Sequence, residues 1–235
     1  MVGSQALRPL KMASIVAAAT LCCTGVAHAE PLGSHQPLVQ GSLGVRVAKI
    51  ADKGFDPFAS SDELVQVSVG AGATALKVGN FSLAGVGFFD YGTHGSTARG
   101  YSTELVALRL SIGPELRYHV MPTLFAFVNA LPAFAHTSAS LEDPIVGTTR
   151  YARHWSFGCD VAAGAAYEVY GMRSGESQKP RVWLVAEGGY GYQSSTRLVL
   201  QPDANTGAPE RSAPIDLGTL ALGGPFARIS AALSF

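Results

Sequence analysis

Eight charged residues stand at alternate positions inside otherwise apolar stretches of this sequence. Arg46 lies in "LVQGSLGVRVA", Arg109, Glu115 and Arg117 in "LVALRLSIGPELRYH", and Asp160 and Glu168 in "YARHWSFGCDVAAGAAYEVY". Glu187 follows in "RVWLVAEGGYGYQ" and Arg228 in the closing "FARISAALSF". Four arginines face four carboxylates. If one enclosed space holds them all, they must be paired and hydrogen-bonded, because an isolated buried charge costs several kcal/mol. The planar guanidinium fork suits two-point contact with a carboxylate. Such a set makes either a salt-bridged plug or a narrow gated ion path, and the glycines and alanines on the same face leave room for the long arginines.

Other chemistries find little support. Six histidines are scattered without ligand spacing, so no metal site is expected. "GAGATALKVG" is glycine-rich but lacks the Gly-Lys-Ser/Thr ending of a phosphate loop. Cys159 falls on an apolar face and reads as a small packing residue. No cofactor and no catalytic residue is expected.

The elements that must position these charges are strands. In 104–118, Val106, Leu108, Leu110, Ile112, Leu116 and Tyr118 take one face, and Arg109, Ser111, Gly113, Glu115 and Arg117 the other. The same two-residue period runs through 39–48, 64–74, 78–91, 151–170, 181–193 and 217–235. In 123–134 either face can be the apolar one, since Phe125 and Phe127 oppose Leu124 and Val128. These are eight strands, or ten if "TRLVLQP" belongs to an extra hairpin. The intervening lengths are 15, 3, 12, 4, 16, 10 and 23, alternating long and short. That is the rhythm of an antiparallel up-and-down transmembrane β-barrel, with short turns on one side of the membrane and long loops on the other. After the first residues no stretch is apolar enough for a spanning helix.

The two ends agree. Arg8 and Lys11 precede an apolar run and Ala27-His28-Ala29, the layout of a cleaved secretory signal over residues 1–29. Residues 30–38 then form a short periplasmic segment and 39–235 the barrel domain. Cleavage would remove Arg8 and Lys11 from 17 basic residues and none of the 17 acidic ones, leaving 15 against 17. A nearly neutral chain carries no footprint for nucleic acid. Cys159 would be the only cysteine of the exported protein, which excludes an internal disulfide.

The last strand places Ala227, Ile229, Ala231, Leu233 and the terminal Phe235 on one face. This resembles the C-terminal signature strand of bacterial outer-membrane barrels, which implies that these five residues are an assembly signal read by the barrel assembly machinery. The exported chain as a whole is similar to small eight-stranded barrels of the OmpA/OmpX type. That resemblance implies a monomer in outer-membrane lipid and lipopolysaccharide, with its first and last strands paired. His154, Ser156 and Glu168 superficially resemble the set used by outer-membrane lipid A deacylases. However, Phe157 stands where an asparagine usually follows the serine, and a continuous strand would hold Ser156 and Glu168 about 40 Å apart.

The expectation is therefore an integral outer-membrane protein that is not an enzyme. It has a structural or interactive role, a lumen closed by the eight charges and four long external loops meeting lipopolysaccharide or external ligands. Its rivals are a small channel or transport barrel, a lipid-modifying enzyme and a secreted lipocalin-like binding barrel.

Overall fold

Alternating sequences fold as strands because successive side chains point to opposite faces of a sheet. The computed structural model describes residues 39–59, 61–98, 101–143, 148–171, 180–202 and 213–235. The expected signal peptide (1–29) and periplasmic segment (30–38) lie outside the described residues.

The wall is built from β1 (Val39–Lys49), β2 (Glu63–Val78), β3 (Phe81–Ala98), β4 (Tyr101–Met121), β5 (Leu124–Asp143), β6 (Thr148–Tyr170) and β7 (Arg181–Gln193). Its last member is β10 (Gly224–Ser234); β8 (Thr196–Pro202) and β9 (Ile215–Leu220) precede it in the chain. Each wall strand pairs antiparallel with the next, β7 pairs with β10, and β10 returns to β1 from Gln40↔Ser234 to Ala48↔Phe226. The ring of eight strands is closed. Closure satisfies the backbone groups that an open edge would leave unpaired in hydrocarbon.

Two expectations are corrected. The last wall strand begins at Gly224, not at 217, because 215–220 belongs to a β8–β9 hairpin. "TRLVLQP" is thus an extra hairpin strand that does not enter the wall: its ladder with β6 is confined to Arg150↔Pro202 and Tyr151↔Gln201. The second correction concerns the loops. β3 and β4 run on until only 99–100 separate them, and β5 and β6 until only 144–147 do. Two of the four expected long outer loops are therefore strand.

The reason is an inversion of polarity at constant alternation. Lower in the wall the outward positions are apolar, as at Leu43, Val67, Leu110, Ile112, Val161 and Ile229, all exposed. Higher up, the outward positions of β4, β5 and β6 become Glu104, Ser138, Ser140 and Arg153, while Leu105, Ala139 and Ala152 turn inward and are buried. Below this change the outside faces lipid and the inside holds charge. Above it the outside faces water.

The inward apolar positions pack on a cap. Phe55 and Phe58, from the connection between β1 and β2, join Leu198 and Leu200 of β8 and Leu220 of β9 against Leu64, Leu105, Ala139 and Ala152. Asp52 fastens the two pieces: its carboxylate accepts from Gly54 N (2.8 Å) and from Ala221 N (2.9 Å). Gly54 is needed at that contact, since a Cβ there would overlap the Thr219 carbonyl. At the opposite end, Gly79 (φ 58°) supplies the left-handed residue of the tight β2–β3 turn.

Candidate functional site

The inward polar residues meet in one chain of charges through the middle of the barrel. At its outer end Arg109 forks onto Asp160, from Nε to Oδ2 at 3.0 Å and from Nη2 to Oδ1 at 2.7 Å. Arg109 also donates to Gln193 Oε1 (3.3 Å), and Gln193 Nε2 donates to Ser156 Oγ (2.7 Å). Arg46 reaches the same Asp160 at 3.5 Å, lies 3.9 Å from Asp90 and donates to Gln66 Oε1 at 2.7 Å. Arg228 donates to Asp90 Oδ2 (2.9 Å) and to Glu187. Asn129 Nδ2 then links Glu187 to Glu115 at 3.4 Å each, and Glu115 accepts from Arg117 Nε at 2.7 Å. Positive and negative groups alternate from Arg109 to Glu187; there the Asn129 amide bridges two carboxylates, and Arg117 ends the path.

The wall strands explain this order. Arg46 and Arg228 are directly opposite across the β1–β10 ladder, where two like charges repel. Asp90 from β3 sits between them, fully buried, and offsets both. The guanidinium faces rest on aromatic rings: Arg46 on Phe226 (4.4 Å to the centroid), Arg228 on Phe88 (4.0 Å) and Arg117 on Phe125 (5.1 Å).

Seven of the eight charges named from sequence stand in this chain. The eighth, Glu168, lies near the inner end of β6, partly buried, 3.8 Å from Arg181. Asp90 takes its place, so four arginines still meet four carboxylates. Sequence reasoning missed Asp90 because glycines blur "FSLAGVGFFDY", yet the parity was there: Ser82, Ala84, Val86, Phe88 and Asp90 share the inward face.

The ambiguous fifth strand also resolves. Phe125, Phe127, Asn129 and Leu131 point inward, and Val128 and Phe134 outward. Phe125 and Phe127 join Trp183, Ala166 and Ala232 in an apolar floor below the charges, with Trp183 Nε1 donating to Ser234 Oγ (2.9 Å). The charge chain therefore lies between this floor and the outer cap. Two cavities beside it measure about 10 and 20 Å³, each the size of a single water.

Ser156, His154 and Glu168 do not assemble. Ser156 accepts from Gln193 inside the lumen, and Glu168 is twelve residues down the same unbroken strand. Along the last strand, Ile229, Leu233 and Phe235 point outward and are exposed, while Arg228, Ser230 and Ser234 are buried. Phe235 N donates to Val39 O at 3.1 Å, extending the closing ladder to the terminal residue. Outside the wall, Arg197 donates to Asp216 Oδ2 (2.9 Å), and this bond, with a second from Gly218 N, holds the Asp216 carboxyl below the usual aspartate range.

Charges inside and an apolar skin outside reverse the arrangement of a water-soluble protein. The fold is an outer-membrane β-barrel.

No protein-family model matches the chain, and no curated protein matches its sequence. Solved structures do align with it. Ail, the attachment invasion locus protein of Yersinia pestis, is 8% identical over 85% of this chain and 99% of its own, with a TM-score of 0.47. A major outer membrane protein from Thermus thermophilus is 13% identical over 84% and 99%, with a TM-score of 0.47. The outer membrane protease OmpT from Escherichia coli is 10% identical over 88% and 99%, with a TM-score of 0.48.

Proposed function

We propose that this protein is a plugged wall element of the outer membrane, a monomer with a structural and interactive role that presents its cap and projecting strands to the outside. The observation that carries this reading is the filled lumen. Four arginines and four carboxylates occupy the middle, an apolar cap covers them on one side and an aromatic floor on the other. An ion crossing that path would have to break buried charge pairs and pass two dry layers. The skin of the wall meets membrane lipid and lipopolysaccharide. Ala227, Ile229, Ala231, Leu233 and Phe235 serve as the strand read by the assembly machinery, and residues 1–29 as the export signal that brings the chain to it.

The experiment is single-channel recording of the purified protein in planar bilayers. The parent is expected to show no discrete conductance, and Arg109→Ala, which removes the outer fork, at most brief openings. Steady ion-selective conductance of the parent, altered by Arg109→Ala or Glu115→Ala, would replace this reading with the channel.

A further inference from the structure

One part of the outer wall carries chemistry that a plain lipid-facing skin does not need. On the β5–β6 ladder the outward pair Leu124↔Tyr167 lies near the inner end, and the outward pair His136↔Trp155 lies twelve residues further along. Twelve residues at about 3.3 Å each, on a strand tilted by roughly 35–45°, climb about 30 Å. That is the thickness of the hydrocarbon core. Tyr167 and Trp155 therefore mark its two faces, where tyrosine and tryptophan are favoured.

Trp155 is 73% exposed on the wall and packs tilted against His136, ring centroids 4.8 Å apart. One outward step below, Phe134 and Phe157 form a second ring pair, also at 4.8 Å. One outward step above comes Ser138↔Arg153, a few ångströms into the headgroup layer. Arg153 is exposed, lies within electrostatic reach of the His136 ring and makes no ion pair among the described residues. The acids on the same outer face stand higher: Glu104 pairs opposite Ser140, and Glu142 opposite Thr149. Reading upward, the column runs from aromatic pair to tryptophan to exposed guanidinium.

We propose that Arg153, with His136 and Trp155 beneath it, binds the phosphate of a lipopolysaccharide lipid A, whose acyl chains lie along Phe134 and Phe157. The inference rests on the membrane placement proposed above. A guanidinium offers parallel N–H donors to a phosphate, and the site stands where that group of an outer-leaflet lipid sits. A cation with no ion pair among the described residues finds its counter-charge at this level in the lipid, and the tilted rings of the aromatic column give the chains an apolar surface.

The test uses the refolded exported chain in dodecyl maltoside micelles, titrated with lipid A and separately with phosphate-free diacylglycerol. Only two tryptophans exist, so Trp183→Phe leaves Trp155 as the reporter. Native mass spectrometry of the unaltered protein counts bound lipid A independently, should that variant not fold. Lipid A is expected to saturate the Trp155 signal, Arg153→Ala to weaken binding on the order of tenfold at low salt and Arg153→Lys to restore part of it. Equal binding by Arg153→Ala and parent, no preference for lipid A over diacylglycerol, or equal binding of phosphatidylglycerol would overturn the proposal. A heat-induced mobility shift on a detergent gel is recorded for each protein. Its retention with no lipid A binding refutes this site alone, whereas its absence from the parent refutes the barrel reading beneath it.

Discussion

Replacing Asp90 by asparagine tests the charge chain at its most enclosed point. The substitution keeps shape and volume but removes one negative charge, leaving four lumen arginines against three carboxylates. Asp90 is fully buried, accepts from Arg228 at 2.9 and 3.3 Å, and lies 3.9 Å from Arg46. Breaking a buried pair by removing one partner costs about 3–5 kcal/mol. Arg46 keeps Asp160 and Arg228 keeps Glu187, and the new amide oxygen still accepts one bond. These residual contacts place the cost near the lower limit, at about 3 kcal/mol. Glu168→Gln is the control, since its pairing with Arg181 is 3.8 Å long and partly solvated, worth under about 1 kcal/mol. Combining Asp90→Asn with Arg228→Met restores charge balance at three against three, so the double variant should lose less than the two single losses together. The assay is equilibrium urea unfolding of the vesicle-inserted protein, followed by tryptophan emission and by the gel mobility shift. If Asp90→Asn lies within about 1 kcal/mol of the parent, or Glu168→Gln costs more, the reasoning fails.

Two further predictions concern the outer end. Phe58 is fully buried in the cap, and Phe58→Ala removes packing of the kind that costs about 3–5 kcal/mol. Because the cap rests on the wall without belonging to its ladder, the loss should be local: limited proteolysis within 50–62 accelerates while the mobility shift of the barrel persists. The Asp216 carboxyl is held below its ordinary range by Arg197 and Gly218 N, so its folded pKa is depressed relative to the unfolded chain. Its contribution is then present at neutral pH and lost as pH falls through that depressed value. Amide protection factors in 196–202 and 215–220 should drop in acid while those of β1 and β10 hold, as NMR exchange can measure.

The lipid-facing half of the wall was legible because one physical rule governs it: apolar outside, polar inside, every second residue. Seven members of the charge chain and the pairing of the last strand with the first follow from that rule. Above the bilayer the same alternation continues with its polarity exchanged, so 92–98 and 135–143, with the inward Ala139, read as loop although they continue β3 and β5. The cap was hidden for a different reason. Phe55 and Phe58 sit in a connection without periodicity, and their partners Leu198, Leu200 and Leu220 lie far along the chain. Nothing local announces that two connections fold into one barrel mouth. Strand β5 was ambiguous because both of its faces are apolar, the inner one serving an aromatic floor. Asp90 and Glu168 show the limit of parity itself: it gives the face, but height along the barrel decides which inward charges meet.

The most direct measurement is a cross-link across the closing seam. Val45 and Ile229 are outward partners on β1 and β10, whereas Val45 and Ala231 are one outward step out of register. With Cys159 replaced by alanine, cysteines at 45 and 229 should oxidise to a disulfide in the membrane-inserted protein, and cysteines at 45 and 231 should not. Absence of the first cross-link in protein that is inserted and folded, or equal yield from both pairs, would mean that the chain's two ends do not close the ring as described.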